Sequence, residues 1–348
     1  MNFLVCDLSR IDRPQVMGKN DRFISYEDPG CDANWDSEIH PPISWHSYAA
    51  AMNGRIVCAP ADNWQEHVKW ADAVLALWDF NPKVAMQAIQ DMKRLGKKVI
   101  GAFHENGDTF QLHAKDLDWL RNFKNCANAC DAVLTYPRDK VYRSIYTAMG
   151  ITRPLLYIPQ PYYSKKSPGY IIPRQERSGI FIAPRRKHKE IERRNWIYNI
   201  ILATELIGKE HNAAGIIANR ITTINDSQTS NEVMAGQLKA IFGGYNIEVI
   251  PKLGYHSYLK MIASHQVTIN LDGSDTQGQV DADSLFVDVP LYQPPGFDFR
   301  TDFGDIYHDL LSNGLNDEQA IASIINDISS FTTVREKINQ WYTQSIFT

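Results

Sequence analysis

Residues 71–103 read ADAVLALWDFNPKVAMQAIQDMKRLGKKVIGAF. An apolar run from Ala73 to Leu77, an amphipathic stretch from Pro82 to Leu95 and a second apolar run from Lys98 to Phe103 predict a strand, a helix and a strand. Two strands joined through a helix are expected to lie parallel, and such crossovers are almost always right-handed. This stretch therefore predicts a parallel sheet with helices packed on it.

The rhythm extends in both directions. Strands are expected at Phe3 to Cys6 and Arg55 to Ala59 before it, and at Ala132 to Thr135 and Leu155 to Ile158 after it, with helices at Leu117 to Ala129 and Lys140 to Met149. The polar segment from Asp7 to about Trp45 falls where a first crossover belongs and reads as a functional loop or an insertion. From Pro159 to Ser178 the chain carries Pro159, Pro161, Pro168, Gly169 and Pro173 among several bases, a linker composition. The rhythm then restarts, with strands at Gly179 to Ala183, Ala213 to Ala218, Ile247 to Ile250 and Val267 to Leu271. Helices are expected at Arg194 to Ile207, Ser230 to Phe242, Ser257 to Ser264 and Asp281 to Val287, then at about Asp317 to Ser329 and Thr333 to Gln344.

The expected fold is α/β, with two Rossmann-like domains. The first occupies residues 1–165, a linker 166–178 and the second 179–330, followed by the C-terminal segment 331–348. A chain of 348 residues suits two such domains.

Composition narrows the function classes. Hydrophobic residues make up 44% and charged residues 22%, enough apolar material for two cores. Thirty-six bases against 40 acids give a net charge of −4, so no global field holds nucleic acid or an anionic membrane, and any polyanion contact is local. The run Arg185-Arg186-Lys187-His188-Lys189 with Arg193-Arg194 is the best such patch, read either as a solvated helix start or as an anion site. Five cysteines in no metal-finger spacing imply neither a disulfide framework nor structural zinc, and Cys126 and Cys130 are expected to share a packed helix face. No secretory signal and no membrane-spanning stretch is read, so the expected location is the cytoplasm, a host's if the chain is phage-encoded.

In open parallel sheets, ligands bind beyond the carboxyl ends of the strands. Two segments are expected there. Asp272-Gly273-Ser274-Asp275-Thr276-Gln277-Gly278-Gln279 follows a strand and precedes a helix, with glycines that allow close backbone approach, hydroxyls, and a helix N-terminus able to present N–H groups to phosphate. Ile182-Ala183-Pro184-Arg185-Arg186, with Arg193-Arg194-Asn195, supplies separated positive charges that can neutralise a diphosphate leaving group. Together they describe a diphosphate cradle.

The second half resembles the retaining glycosyltransferases of the GT-B fold that carry an E-x7-E element, the family 4-like group. Asp275, Thr276-Gln277-Gly278-Gln279, Asp283 and the helix closed by Pro290 match its order and spacing, with Asp in place of both glutamates. Leu253-Gly254-Tyr255 with Tyr258 resembles its cradle for the nucleotide base, Phe103-His104-Glu105-Asn106 its histidine loop, Asp131 to Thr135 a strand that usually ends in Ser, and Tyr157-Ile158-Pro159-Gln160-Pro161 its linker. The usual Gly-Gly loop after the first strand is replaced by Ser9-Arg10-Ile11-Asp12-Arg13-Pro14.

The resemblance implies that the two domains face each other across a cleft, with a C-terminal helix at 331–348 packing back on the first, and that a sugar is transferred from a nucleoside-diphosphate donor, UDP expected, with retention, no required cofactor and no metal. It implies catalytic roles for His104, Asp275, Arg186 and Arg194, and binding roles for Arg185, Gly254, Tyr258, Thr276, Gly278, Gln279 and Asp283. Asp275 would contact the sugar, Asp283 the ribose, and His104 the sugar 6-hydroxyl or the acceptor. The acceptor is either a glycan or lipid-linked sugar, or a hydroxymethylated pyrimidine in phage-type DNA approached along the bases from Lys165 to Arg194. Rival readings are a sugar-nucleotide epimerase, a non-catalytic nucleotide- or glycan-binding module, and a nicotinamide oxidoreductase, the last disfavoured because no Gly-x-Gly-x-x-Gly follows the first strand. His256 and His265 are expected in surface or core roles, and the tryptophans at 35, 45, 64, 70 and 78 mainly in packing.

Overall fold

The computed structural model describes residues 1–8, 24–25, 45, 48–49, 52–59, 64–78, 81–104, 110, 113–135, 139–156, 171–185, 187–188, 191–192, 195–208, 220–225, 230–272 and 279–292. The chain divides into two compact units, the first built on Met1–Lys165 and the second beginning at Lys166.

The first unit is a seven-stranded sheet in the order β2-β3-β1-β4-β5-β6-β7. Its strands are β1 (Phe3–Asp7), β2 (Ile24–Ser25), β3 (Arg55–Cys58), β4 (Ala73–Trp78), β5 (Lys98–Phe103), β6 (Ala132–Leu134) and β7 (Leu155–Leu156). All pairs are parallel except β2 with β3. Every residue of β4 is buried, as a strand covered on both faces requires. Among the described residues its helices are α1 (Trp64–Trp70), α2 (Pro82–Arg94), α3 (Leu117–Ala129) and α4 (Asp139–Ala148).

Local chemistry explains where these helices start. In α2, Pro82 takes the first turn, where its missing N–H costs nothing, and the Asn81 side chain accepts from Val84 N at 3.3 Å. Ala85, Ala88, Ile89 and Met92 then bury one face at helical spacing. In α3 the Asp116 carboxylate caps the N–H groups of Asp118 and Trp119, and Trp119, Phe123, Cys126 and Ala127 turn inward. Phe123 is the hub of that core, in ring contact with Trp78, Phe103, Phe110, Trp119 and Tyr146. Emptying such a site by Phe→Ala costs about 3–5 kcal/mol. Gly101 keeps the sheet close to this layer, since a Cβ there would stand 2.4 Å from the Trp78 ring and 2.6 Å from Cys130 Sγ.

The second unit is a five-stranded, wholly parallel sheet in the order β12-β11-β8-β13-β14. Its strands are β8 (Ile180–Arg185), β11 (Arg220–Asn225), β12 (Asn246–Pro251), β13 (Val267–Ile269) and β14 (Leu291–Tyr292), and a separate two-stranded ribbon pairs β9 (Lys187–His188) with β10 (Ile191–Glu192). Renumbered within the unit, the order is 3-2-1-4-5, that of a doubly wound nucleotide-binding fold. Helices α5 (Trp196–Gly208) and α6 (Asn231–Ile241) contribute to one apolar layer, α7 (Tyr255–Ala263) and α8 (Gln279–Phe286) to another. Gly179 opens β8 with φ 75°, and a Cβ there would stand 2.5 Å from Arg220 O, so both backbone sign and space demand glycine.

The structure departs from the sequence expectations in three places. A strand of the second sheet is Arg220–Asn225, a segment not read as a strand, while 213–218 lies outside the described residues. Its Ile/Thr alternation hides burial, because Thr222 and Thr223 are buried through hydrogen bonds. The basic run does not start a helix: Lys187–His188 pairs antiparallel with Ile191–Glu192, and the helix begins only at Trp196. The last part of the linker is docked on the second unit, where buried Arg177 donates to Ile172 O at 2.8 Å and to Asp288 O at 2.5 Å. The final helices expected after residue 316 lie outside the described residues.

Among the described residues Cys6, Cys58, Cys126 and Cys130 are free thiols. Burial pushes the Cys6 and Cys126 thiols up and Cys130 to about 12, which makes them core residues rather than nucleophiles. No described helix is long and apolar enough to cross a membrane.

Candidate active site

In the second sheet the strand order reverses between β8 and β13. These strands pair in parallel from Ile180 with Val267 to Ile182 with Ile269. Their carboxyl ends therefore leave the sheet side by side, Ala183 and Arg185 from one and Asn270 to Asp272 from the other. This is the crevice position where doubly wound sheets bind ligands.

The start of α5 is tied to the same place. Asn195 Nδ2 donates to Leu271 O at 2.7 Å, and Leu271 N donates to the Asn199 side-chain oxygen at 2.8 Å. Asn195 holds φ 49°, a left-handed conformation that Asn tolerates better than most residues. Trp196 Nε1 donates to Thr223 Oγ1 at 2.9 Å and fixes the helix against β11.

Past the end of β13 runs a buried polar network. Asn270 Nδ2 donates to Asp281 Oδ1 at 2.5 Å, and Asp272 N donates to Asn270 Oδ1 at 3.3 Å. Two residues further along α8 the helix has turned, and Asp283 Oδ1 accepts from Tyr255 Oη at 2.6 Å, at the start of α7. Neither Asp281 nor Asp283 exposes any surface. Desolvated carboxylates are kept only where donors meet them, and each of these has one on a neighbouring element. Gly254 is the N-cap of α7, with no side-chain capping bond, while Tyr258 is buried with its ring edge on Phe181.

The structure thus brings the flanks of both predicted segments together. Arg185 ends β8 and Gln279 opens α8, with their side chains outside the described set. Arg186, Arg194, Asp275, Thr276 and Gly278 also lie outside the described residues. Among the described residues no group of three or more His, Cys, Asp or Glu is placed to hold a metal ion.

In the first sheet the order reverses between β1 and β4. Asp7 ends β1, Trp78 ends β4, and His104 follows β5, its N–H donating to Trp78 O at 2.7 Å. The His104 Nε2 lies 3.8 Å from Asp7 Oδ2, with side chains 29% and 14% exposed. Cys58, opposite Asp7 in the β1–β3 register, places Sγ 3.8 Å from the same oxygen. The Trp45 ring stacks on the imidazole at 6.2 Å and 27°, and its Nε1 donates to His104 O at 3.1 Å. Thr135, ending the strand that resembles the family's Ser-bearing stretch, is buried with Oγ1 donating to Leu156 O. Sequence reasoning singled out His104 but missed Asp7; the one available signal is a carboxylate closing the otherwise apolar run Phe-Leu-Val-Cys-Asp.

No protein-family model matches the chain and no curated protein matches its sequence. Solved structures do match in fold. A trehalose-6-phosphate synthase from a study of glycosyl transfer with retention aligns over 98% of this chain and 97% of its own, at TM-score 0.52 and 13% identity. The α,α-trehalose 6-phosphate synthase of Burkholderia multivorans covers 99% and 93%, at TM-score 0.53 and 9% identity. A TarM variant of S. aureus, in complex with fondaparinux, α-GlcNAc-glycerol and UDP, covers 81% of this chain and 57% of its own, at TM-score 0.51 and 13% identity. The shared property at these identities is the fold: two Rossmann-like α/β units of the GT-B type.

Proposed function

We propose that this chain is a glycosyltransferase that moves a sugar from a nucleoside-diphosphate donor, UDP expected, to an acceptor hydroxyl with retention. The bond from the anomeric carbon to the diphosphate breaks with its electron pair leaving on the phosphate oxygen. The acceptor oxygen bonds to the same face of that carbon, and its proton passes to the departing oxygen. Arg186 and Arg194 carry the leaving-group charge, the role that a metal ion fills in other transferases. Asp275 contacts the sugar, and Arg185, Thr276, Gly278 and Gln279 hold the phosphates. Gly254 and Tyr258 flank the base, Asp283 meets the ribose, and His104 contacts the sugar 6-hydroxyl or the acceptor.

The observation that carries this reading is the pairing of β8 with β13, together with two hydrogen bonds at Leu271, one donated by Asn195 Nδ2 to its carbonyl and one donated by its N–H to Asn199 Oδ1. They join the strand ends from which the basic segment and the Gly-containing loop depart, at the order reversal of a doubly wound sheet, and so support this reading. The fold shared with sugar transferases supports it further.

Mass spectrometry of the purified chain against a panel of sugar nucleotides tests the reading, first for donor hydrolysis and then for transfer to sugar, lipid-linked and hydroxymethylated-DNA acceptors. One donor is expected to release its nucleotide diphosphate, and Arg194→Ala to lower the rate by about 10²–10³. Release of an altered free sugar from the wild type would favour an epimerase, and turnover unaffected by Arg194→Ala and Asp275→Asn would end the assignment.

A further inference from the structure

We propose that Asp7 is a positioning residue for His104, holding the imidazole in one orientation at the order reversal of the first sheet. The proposal rests on the reading that His104 contacts the donor sugar or the acceptor. Four restraints converge on this histidine. Its backbone N–H is fixed by Trp78 O, its carbonyl by Trp45 Nε1, one ring face by the Trp45 indole, and its Nε2 edge by the Asp7 carboxylate.

Asp7 is itself held by the sheet: Ala59 N donates to Asp7 O at 2.8 Å, and Leu8 N to Leu77 O at 2.8 Å. Its Oδ2 lies 3.8 Å from the Cys58 sulfur and 3.8 Å from His104 Nε2, so the carboxylate sits against the imidazole edge at electrostatic range, longer than a direct hydrogen bond. An asparagine in its place keeps the size of the side chain and removes the carboxylate from beside the imidazole. A carboxylate this sheltered adds little to the core of an apolar strand, and local stability is served better by an apolar or amide side chain. A charge kept at the ligand end of a parallel sheet, facing an imidazole, is the departure from local logic that marks function.

Asp7→Asn, Asp7→Glu, His104→Ala and the Asp7→Asn/His104→Ala double variant test the proposal on the full chain. Misplacing a reacting contact by about 1 Å costs up to about 100-fold. Asp7→Asn is therefore expected to lower kcat about 10- to 100-fold while donor Kd stays within about threefold. Asp7→Glu should recover part of the loss, and the double variant should be no slower than His104→Ala alone. Multiplicative losses in the double variant, or an unchanged kcat in Asp7→Asn, would overturn the role. Long-range 1H–15N spectra of the imidazoles, with His104 assigned by its absence in His104→Ala, give a readout that needs no turnover. Asp7→Asn should shift the His104 nitrogens and leave the other histidines in place. A wild-type chain that turns over no sugar nucleotide, yet whose His104 signal follows Asp7, would sink the sugar-transfer reading; a His104 signal indifferent to Asp7 would sink the positioning role.

Discussion

Lowering the pH from 8 to 5 should cost the second unit about 2 kcal/mol through one residue, His265. This histidine sits at the amino edge of the second sheet, away from the candidate site, and is 1% exposed. Its Nδ1 lies 2.7 Å from Met261 O, which can only accept, so Nδ1 carries the proton. Its Nε2 then offers a lone pair, 2.8 Å from Thr222 Oγ1 and 3.3 Å from Arg220 Nη2. Adding a second proton would bury a cation beside a guanidinium. Burial first, and Arg220 second, lower its pKa from the ordinary 6.5 to about 4.

A histidine depressed in the folded state favours folding while neutral. Its contribution is complete above the unfolded value near 6.5 and is lost as pH falls from there towards 4, where the unfolded chain binds the extra proton. The full difference corresponds to about 3 kcal/mol, of which about 2 kcal/mol is gone at pH 5. Urea denaturation read by hydrogen exchange in peptides of β11 and α7 follows this unit separately from the first. The stability difference between wild type and His265→Gln should be flat above pH 7 and shrink below 6. A constant difference from pH 8 to 5, or an imidazole spectrum with the proton on Nε2, would refute the reasoning.

Three further outcomes follow from packing and backbone. Gly101→Ala places a methyl against Trp78 and Cys130 and should destabilise the first unit by about 1–3 kcal/mol, seen as a lower urea midpoint; an unchanged midpoint would contradict the close approach. Asn195→Gly keeps the left-handed backbone but loses the bond to Leu271 O, whereas Asn195→Ala loses both, so Ala should cost about 1 kcal/mol more than Gly; equal stabilities would argue that φ carries no strain. Asp116→Ala removes the cap of α3 and should lower stability by about 1 kcal/mol, with faster amide exchange at Asp118 and Trp119 as the direct check.

The parallel architecture was legible because strands covered on both faces read as unbroken apolar runs, as Ala73–Trp78 does, and because their helices bury residues at helical spacing, as Ala85, Ala88, Ile89 and Met92 do. What escaped depends on partners remote in the chain. Arg220–Asn225 looks half polar, yet Thr222 and Thr223 are buried because His265 and Trp196 meet their hydroxyls. Strand order is equally silent in one dimension. The loop after β13 and the bases after β8 could be proposed as one site from spacing and resemblance, but their adjacency depends on β8 pairing with β13. Asp7 was missed for the same reason, since nothing between residues 7 and 104 announces that a third strand lies between their two strands in the sheet.

The position of β8 at the middle of its sheet also dictates an order of assembly. It is the first strand of its unit to be made, yet its neighbours, β11 and β13, begin only at Arg220 and Val267. On the ribosome the described strands of the first sheet have all emerged with Leu156, while β8 must wait with both edges open. Such long-range pairings form slowly and leave strand edges exposed meanwhile. Chains truncated between β11 and β13 should therefore aggregate through the unpaired side of Ile180–Arg185.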